Sequence, residues 1–458
     1  MAEIALQFIQ STEKELYSMA HTIWENPEAP FQEYRASALL GSYLAKEGFY
    51  VEQGAFGIPT ALRASWGEGH PVIGLLGEYD ALPGLSQEAV PQRSPIPSVG
   101  YGHGCGHNLI GVAHAAAAVA IKREMEKKGL AGTIVYYGCP AEELLTGKGL
   151  MAQGGAFREL DAHVAFHPGR ATYVMLGRHT GVYAAKFHFS GRAAHAGGEP
   201  QNGRSALDAA ELMNVGANYL REHVSSDVRI HYIISEGGVA PNIVPANATT
   251  YYYVRALEID NLRDTFRRVV RCAQGAAHMT ETQLRMEKLG GCYPTLNNQA
   301  LSKVLDSALR ETPQITYTEK ELAFAHALNQ ATPEVYEKAR VGLPQGSEIA
   351  LGCNAPVLTD CFGSSDVGDV EHIAPGARFY VAAWNLGAPS HSWQVSACVG
   401  MSIGMKAMVF GARAMAIWGL KLLETPEIIK LARTEFQEAM AGKKYAPLIP
   451  SEYSFENR

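Results

Sequence analysis

Apolar and polar positions along the first 170 residues switch between two kinds of pattern. Residues 9–24 and 37–47 repeat their apolar positions at helical spacing, as a helix does when it buries one stripe. Continuous apolar runs follow at 71–77 (PVIGLLG), 133–138 (TIVYYG) and 163–167 (HVAFH), and an alanine-rich segment at 108–127 predicts a long helix between the first two. Unbroken apolar runs of this length suit strands covered on both faces. The alternation predicts an α/β fold, an open mixed sheet with helices on both faces.

From about residue 181 the texture changes. KFHFSG alternates in period two, 203–223 has the spacing of a helix, 229–235 and 249–256 of strands, and 259–277 of another helix. This order predicts a small α+β domain inserted into the larger one, with boundaries at 1–180, 181–293 and 294–458. YPTLNNQ at 293–299 marks the chain's return, the segments up to about 424 complete the first domain, and the polar tail after 441 is expected at the surface. Residues 401–423 approach the length of a membrane span, but Lys406, Arg413 and Lys421 interrupt them, which predicts a core helix.

In open α/β sheets, functional groups gather beyond the carboxyl ends of the strands. Here Glu78 and Asp80 follow the first run in GEYDALPGL, Glu142 and Glu143 follow the second in CPAEE, and His167 ends the third in FHPG. Residues 103–107, HGCGH, set His103, Cys105 and His107 at alternate positions ahead of the long helix, with Gly102, Gly104 and Gly106 permitting tight turns. Thiolate and imidazole are ligands for zinc and related divalent ions. A lone buried cysteine, or a glutamate at a helix start, is ordinary; the convergence of three strand ends on one loop points to a metal site. Adjacent on a loop, Glu142 and Glu143 point in different directions, so one can bind metal while the other carries a proton, the requirement of a metal-dependent hydrolase. The glycines do not make a dinucleotide loop, because no strand with a ribose-binding acid follows at the required distance.

Other groups are less committed by their surroundings. His391 in APSHSWQ and His195 in GRAAHAG fit surface turns as well as a site, and Asp360, Asp366 and Asp369 form an acidic loop that is either metal-proximal or a turn. His163, His188 and His231 lie in or beside strand patterns and are expected to pack.

The 458 residues are 47% hydrophobic and 19% charged, with a net charge of -7 and no long basic run. That balance argues against nucleic acid or a membrane surface as partner and favours a small-molecule or peptide substrate. Seven cysteines, an odd number without a CxxC pair, predict reduced thiols. The opening MAEIALQFIQSTEKEL lacks the pattern of a secretory signal, so a cytoplasmic location is expected.

Taken in order, GEYDALPGL, HGCGHN, CPAEE, FHP, GRAAHAG and PSHSW resemble the zinc- or manganese-dependent aminoacylase and carboxypeptidase superfamily over nearly the whole chain. The likeness is to the amidohydrolase branch with hippurate and auxin-conjugate hydrolases; GEYDALPGLSQ, HGCGHNLIG and GSSDVGDV are most similar to p-aminobenzoyl-glutamate hydrolases and related dipeptidases. The resemblance implies two divalent ions, Mn2+ or Zn2+, bridged by Cys105, with His107 and His167 on one and Glu143 and His391 on the other. It makes Glu142 the general base and acid, and Asp80 the acid that orients a ligand. It makes the inserted domain a lid and homodimerisation module whose His195 stabilises the oxyanion. Arg204, Arg255 and Asn242, with Arg170 beside His167, are candidates to hold the substrate's carboxylate. Asn108 stands where many branch members have Asp, and Glu78 where the carboxypeptidase branch has a metal-binding His. The implied reaction is cleavage of an N-acyl or N-aminobenzoyl amino acid or a dipeptide. The alternatives are a non-catalytic or partner-dependent subunit needing a second chain, and an N-carbamoyl amino acid hydrolase.

Overall fold

The structure, a computed structural model, describes residues 2–453. The chain forms two compact units: the first takes in residues up to Gly177, Leu296–Thr359 and Val370–Tyr445, the second Arg178–Thr295, Asp360–Asp369 and residues from Ala446 onward. The second unit thus includes the 360–369 loop and the chain's end besides the inserted stretch read from the sequence.

The first unit is built on strands β1 (Tyr50–Gln53), β2 (Leu62–Glu68), β3 (Val72–Glu78), β4 (Leu82–Pro83), β5 (Tyr101–Gly102), β6 (Gly132–Cys139), β7 (Ala162–Gly169) and β8 (Tyr173–Val174). The second contributes β9 (Gly181–Ser190), β10 (Arg229–Glu236), β11 (Asn247–Ala256) and β12 (Gln283–Cys292), and the chain returns to the first unit with β13 (Gly376–Ala382). The large sheet is mixed, in the order β1-β2-β6-β3-β7-β13-β8. β6, β3, β7 and β13 run parallel at its centre, and β1, β2 and β8 pair antiparallel toward the edges. Every residue of β3 is buried, as a central parallel strand requires.

Helices flank this sheet. His107–Lys128 lies against β3, β6 and β7, and Ser402–Glu424 packs on it and on β7 and β13. The second of these is long and apolar enough to cross a membrane, but 89% of its apolar window is buried inside the fold. Its cations are mostly buried and paired: Lys421 with Glu311 and Arg413 with Glu13. The N-terminal helical stretch is not continuous as its periodicity suggested; it is Glu3–Ser11 and Glu13–Glu25, broken at Thr12, whose N–H still donates to Phe8 O.

The second unit is an antiparallel sheet ordered β10-β11-β9-β12, packed against helices Ala206–Leu220 and Ile259–Met279. β12 went unread in the sequence because the outer face of its first half carries Gln283, Arg285 and Glu287 rather than apolar residues. The tail is a further correction: Leu448 and Ile449 are buried rather than at the surface, and residues 454–458 of that expectation lie outside the described residues.

Candidate metal centre and active site

Register carries the strand ends to one level. Glu78 of β3 stands opposite Cys139 of β6, so Asp80 and the 142–143 pair emerge side by side, while β7 brings His167 to its own carboxyl end. The long helix begins at His107, immediately after Gly106 at φ 79°. Gly102 is needed for a close approach: a Cβ there would lie 1.9 Å from Leu85 O. Three non-glycine residues at the site also hold left-handed backbone, namely Ala141 and Leu145 on either side of the Glu142–Leu144 turn, and His391 itself. Such positions cost of order 1–3 kcal/mol each and collect at functional sites.

Two groups of donor atoms result, each within 4.8 Å of one another: Cys105, His107 and His167, and Cys105, Glu143 and His391. They share the Cys105 sulfur. A third group, Glu78, His107 and Glu142, adjoins them. The tautomers follow from the hydrogen bonds. His107 Nδ1–H donates to Asp80 Oδ1 at 2.8 Å, leaving Nε2 toward Glu78, Glu143 and Glu142 at 3.6, 3.8 and 3.9 Å. His167 Nδ1–H donates to Pro168 O at 2.6 Å, leaving Nε2 3.4 Å from Cys105 Sγ. His391 Nε2 lies 3.8 Å from Glu143 Oε2. Asp80 also accepts the Glu143 N–H at 2.9 Å through its other oxygen, so one carboxylate fixes a ring and a loop together.

The charges fit a cation among these atoms. Burial pushes Glu143 up to about 7, with the Asp80 and Glu78 charges adding to it against the pull of His107. Burial lowers His107, yet Asp80 and the Cys105 sulfur outweigh it and hold the ring well above its usual range. Burial, then His107, pushes His167 down to about 4, so it stays neutral with a free lone pair. The Cys105 thiol is driven up by burial and by Glu143. Acids that draw a proton onto His107 Nε2 offer the same place to a metal ion, which releases protons from thiol and imidazolium as it binds. Two buried atoms at this centre, His107 Nε2 and Glu143 Oε1, have no hydrogen-bond partner among the described residues. Orphans of this kind beside a thiol and two imidazoles are a donor set suited to zinc or manganese.

Lys148 was not picked out from the sequence. It is fully buried and reaches Glu78 at 2.6 Å; although burial works against ionisation, Lys148 and then His107 hold Glu78 below the usual carboxylate range. The signal available was a single lysine in the otherwise uncharged stretch LLTGKGLM. His103, by contrast, leaves the cluster. The chain turns at 102–106, where Gly104 N–H donates to Gly102 O and Gly106 N–H to His103 O, so alternate residues do not share a side. His103 Nε2–H instead donates to Ile23 O at 3.2 Å, and burial takes its pKa down to about 3.

Arg170, in the first unit, donates to Ala388 O. His195, Asn242, Arg204 and Arg255 lie in the second. His195 Nδ1 accepts the N–H groups of Gly197 and Gly198 at 3.2 and 2.9 Å, so its proton is on Nε2. Asn242 O accepts the Ala196 N–H. Arg204 pairs with Glu281, and Arg255 donates to Ser364 Oγ and lies over the Tyr253 ring. Asp360 pairs with Arg178, and Asp366 and Asp369 are buried in the second unit, outside the donor groups. His163 packs beneath Gly376 and His188 pairs with Glu287, while His231 sits on the second unit's edge strand, β10, and is exposed.

A sheet with a thiol, acids and imidazoles at its strand ends defines a metal-dependent amidohydrolase, and the chain belongs to Peptidase family M20/M25/M40, whose profile matches residues 74–385. It is 36% identical to one of the subunits of the p-aminobenzoyl-glutamate hydrolase of Escherichia coli, over 96% of each chain. It is 29% identical to the Xaa-Arg dipeptidase of Mus musculus, covering 94% of this chain and 91% of that one. Among solved structures, the fold is shared with a dinuclear metal-binding peptidase of the M20 family from Bacillus subtilis, at a TM-score of 0.59 and 17% identity over 91% of this chain and 99% of the other.

Proposed function

We propose that the chain is a two-metal amidohydrolase that splits an N-acyl or N-aminobenzoyl amino acid, or a dipeptide, at its amide bond. The observation that carries this reading is the pair of donor groups sharing Cys105, with Glu142 beside them. His107 and His167 would complete one ion and Glu143 and His391 the other. When bound, the ions, manganese or zinc, would supply Lewis acidity and an acidified water.

The chain's own groups do the rest. Asp80 fixes His107 and the Glu143 loop in register. Glu142 accepts the proton of the attacking water at a carboxylate oxygen and delivers it to the leaving nitrogen, so that the C–N bond breaks into a carboxylate and an amine. His195, its proton on Nε2, donates to the carbonyl oxygen as that atom gains charge. Arg170, Arg204, Arg255 and Asn242 remain the candidates for the substrate's free carboxylate. The second unit serves as lid and homodimer module; support for the latter is β10, an edge strand exposing Ile233 and Ile234. We place the enzyme in the cytoplasm, where its seven cysteines, none of them in a disulfide, would stay reduced.

The test is hydrolysis by the metal-stripped chain, with manganese or zinc returned, of p-aminobenzoyl-glutamate, hippurate, an indoleacetyl amino acid and dipeptides ending in arginine. Metal-dependent cleavage of one class is expected, and Glu142→Ala should lower kcat by several orders with metal retained. Near-normal turnover in that variant would remove Glu142 from its role. A second reading, that activity requires another chain, is favoured by the Escherichia coli relative, which is itself one subunit of its hydrolase. Full turnover by the purified single chain would dispose of it.

A further inference from the structure

The chain on either side of Glu142 is held in a conformation it would not choose. Ala141 and Leu145 both carry left-handed backbone, at φ 55°, and the turn between them aims the Glu142 side chain. Residues with a side chain keep that conformation only where the surroundings enforce it. Beyond Glu142 the enforcement comes from Asp80 Oδ2, which accepts the Glu143 N–H, and from the Leu145 N–H, which donates to Glu142 O at 2.7 Å. Ahead of Glu142, the peptide joining Pro140 to Ala141 is confined at both of its polar atoms. Its oxygen lies against Gly147, where a Cβ would stand 1.7 Å away. Its N–H donates at 2.9 Å to Oε1 of Glu33, a fully buried carboxyl outside the donor groups.

Glu33 is itself fixed. It immediately precedes helix Tyr34–Lys46, and its Oε1 also accepts the Phe31 N–H at 2.9 Å. The Ala81 N–H donates to Glu28 O at 2.9 Å, which ties the 28–33 segment to the strand end that carries Asp80. Without Glu33 the Ala141 N–H would be buried and unsatisfied, a costly state that rotation of the peptide relieves. Such a rotation releases Ala141 from its left-handed conformation and swings the residue after it, Glu142.

We propose that Glu33 is a positioning residue for Glu142: by accepting the Ala141 N–H it fixes the peptide before Glu142, as Asp80 fixes the peptide after it. Its effect on rate rests on the base role given to Glu142 above, whereas its hold on the turn does not.

Three substitutions in the full chain, loaded with manganese and assayed with p-aminobenzoyl-glutamate, test it. Glu33→Leu removes the acceptor, Glu33→Asp draws it back by one methylene with less disturbance to the fold, and Glu33→Gln keeps an acceptor oxygen. The first two should lower kcat roughly 10- to 100-fold, as a small misplacement of a reacting group does, with KM and metal content little changed. Glu33→Gln should retain the native rate. Added to Glu142→Ala, Glu33→Leu should lower the residual rate no further, because residues that act as one unit are not additive. Hydrogen exchange read by mass spectrometry needs no substrate: the amides of 141–145 should exchange faster in Glu33→Leu and Glu33→Asp and at the native rate in Glu33→Gln. Native kcat in a folded, metal-loaded Glu33→Asp, a loss that Glu33→Gln shares, an equal loss with and without Glu142, or unchanged exchange would overturn the proposal. A turn that loosens as expected while Glu142→Ala turns over normally would count against the base role alone and support the hold of Glu33 on the turn.

Discussion

Asp80 does two jobs that a single amide cannot. Its two oxygens accept from His107 Nδ1 and from Glu143 N, whereas asparagine would meet one of those donors with another donor. Asp80→Asn should therefore weaken metal binding about 10- to 100-fold, the usual effect of losing a group that orients a ligand, as read by competition with a chromophoric chelator. An unchanged affinity would mean that the ring and loop hold themselves. Glu33 gives a test by pH. Burial, then the Asp80 charge, pushes its carboxyl up to about 8, and its Oε1 accepts the N–H groups of Phe31 and Ala141. Folded Glu33 binds its proton more tightly than the unfolded chain, whose value is 4.5. Its contribution to stability is thus complete below pH 4.5 and drains away as the pH rises to about 8. Glu33→Gln stays neutral and keeps the acceptor; it should gain on the native protein across that window, so that melting curves at about pH 5 and pH 8.5 diverge, and parallel profiles would refute the assignment. At this scale Cys105, His107, Glu143 and His167, which the fold brings into the donor groups, could be picked out because each sits beside a strand end or in the glycine-rich loop, whereas His391, in a turn that suits a surface equally well, could be pointed to only by the order of motifs in the resembling family. Lys148 could not, because nothing in a lone lysine announces that it is buried, and His103 misled because spacing of two implies a shared side only where the chain is extended.

The strands are what bring these residues together, and β3 shows the cost. It ends in Glu78, a buried acid tolerated because helix Gly147–Gln153 delivers Lys148 to it. Removing one partner of a buried pair leaves a charge without compensation, at about 3–5 kcal/mol. Lys148→Met should lower the urea midpoint by a corresponding amount, while Lys148→Met with Glu78→Gln should lose much less; equal losses would show that the pair is not coupled. Elements with clear periodicity, β3, β6, β7 and the helix at 107–128, were readable as continuous apolar runs. β12 and β13 were not, the one because its exposed face is charged and the other because GARFYVA holds an arginine, Arg378, which is buried against Glu371.

For the whole molecule, the sequence pointed to an interrupted large domain with a smaller one inside it. What it could not supply was the return of 360–369 and of the chain's end to the second unit, since contacts across such separations leave no local pattern. If β10 carries the homodimer contact proposed above, Ile233→Lys, at a side chain 59% exposed, should convert dimers to monomers in light scattering without changing metal content. A dimer that persists would move the contact elsewhere.

Both donor groups run through one sulfur, and that makes the centre a circuit in series rather than in parallel. If the centre holds the two ions proposed above, an oxidant or alkylating agent that modified Cys105 would disconnect both with a single hit, so the modified fraction would contain no half-loaded, half-active survivors. An enzyme wired this way would fail all at once, molecule by molecule, never by halves.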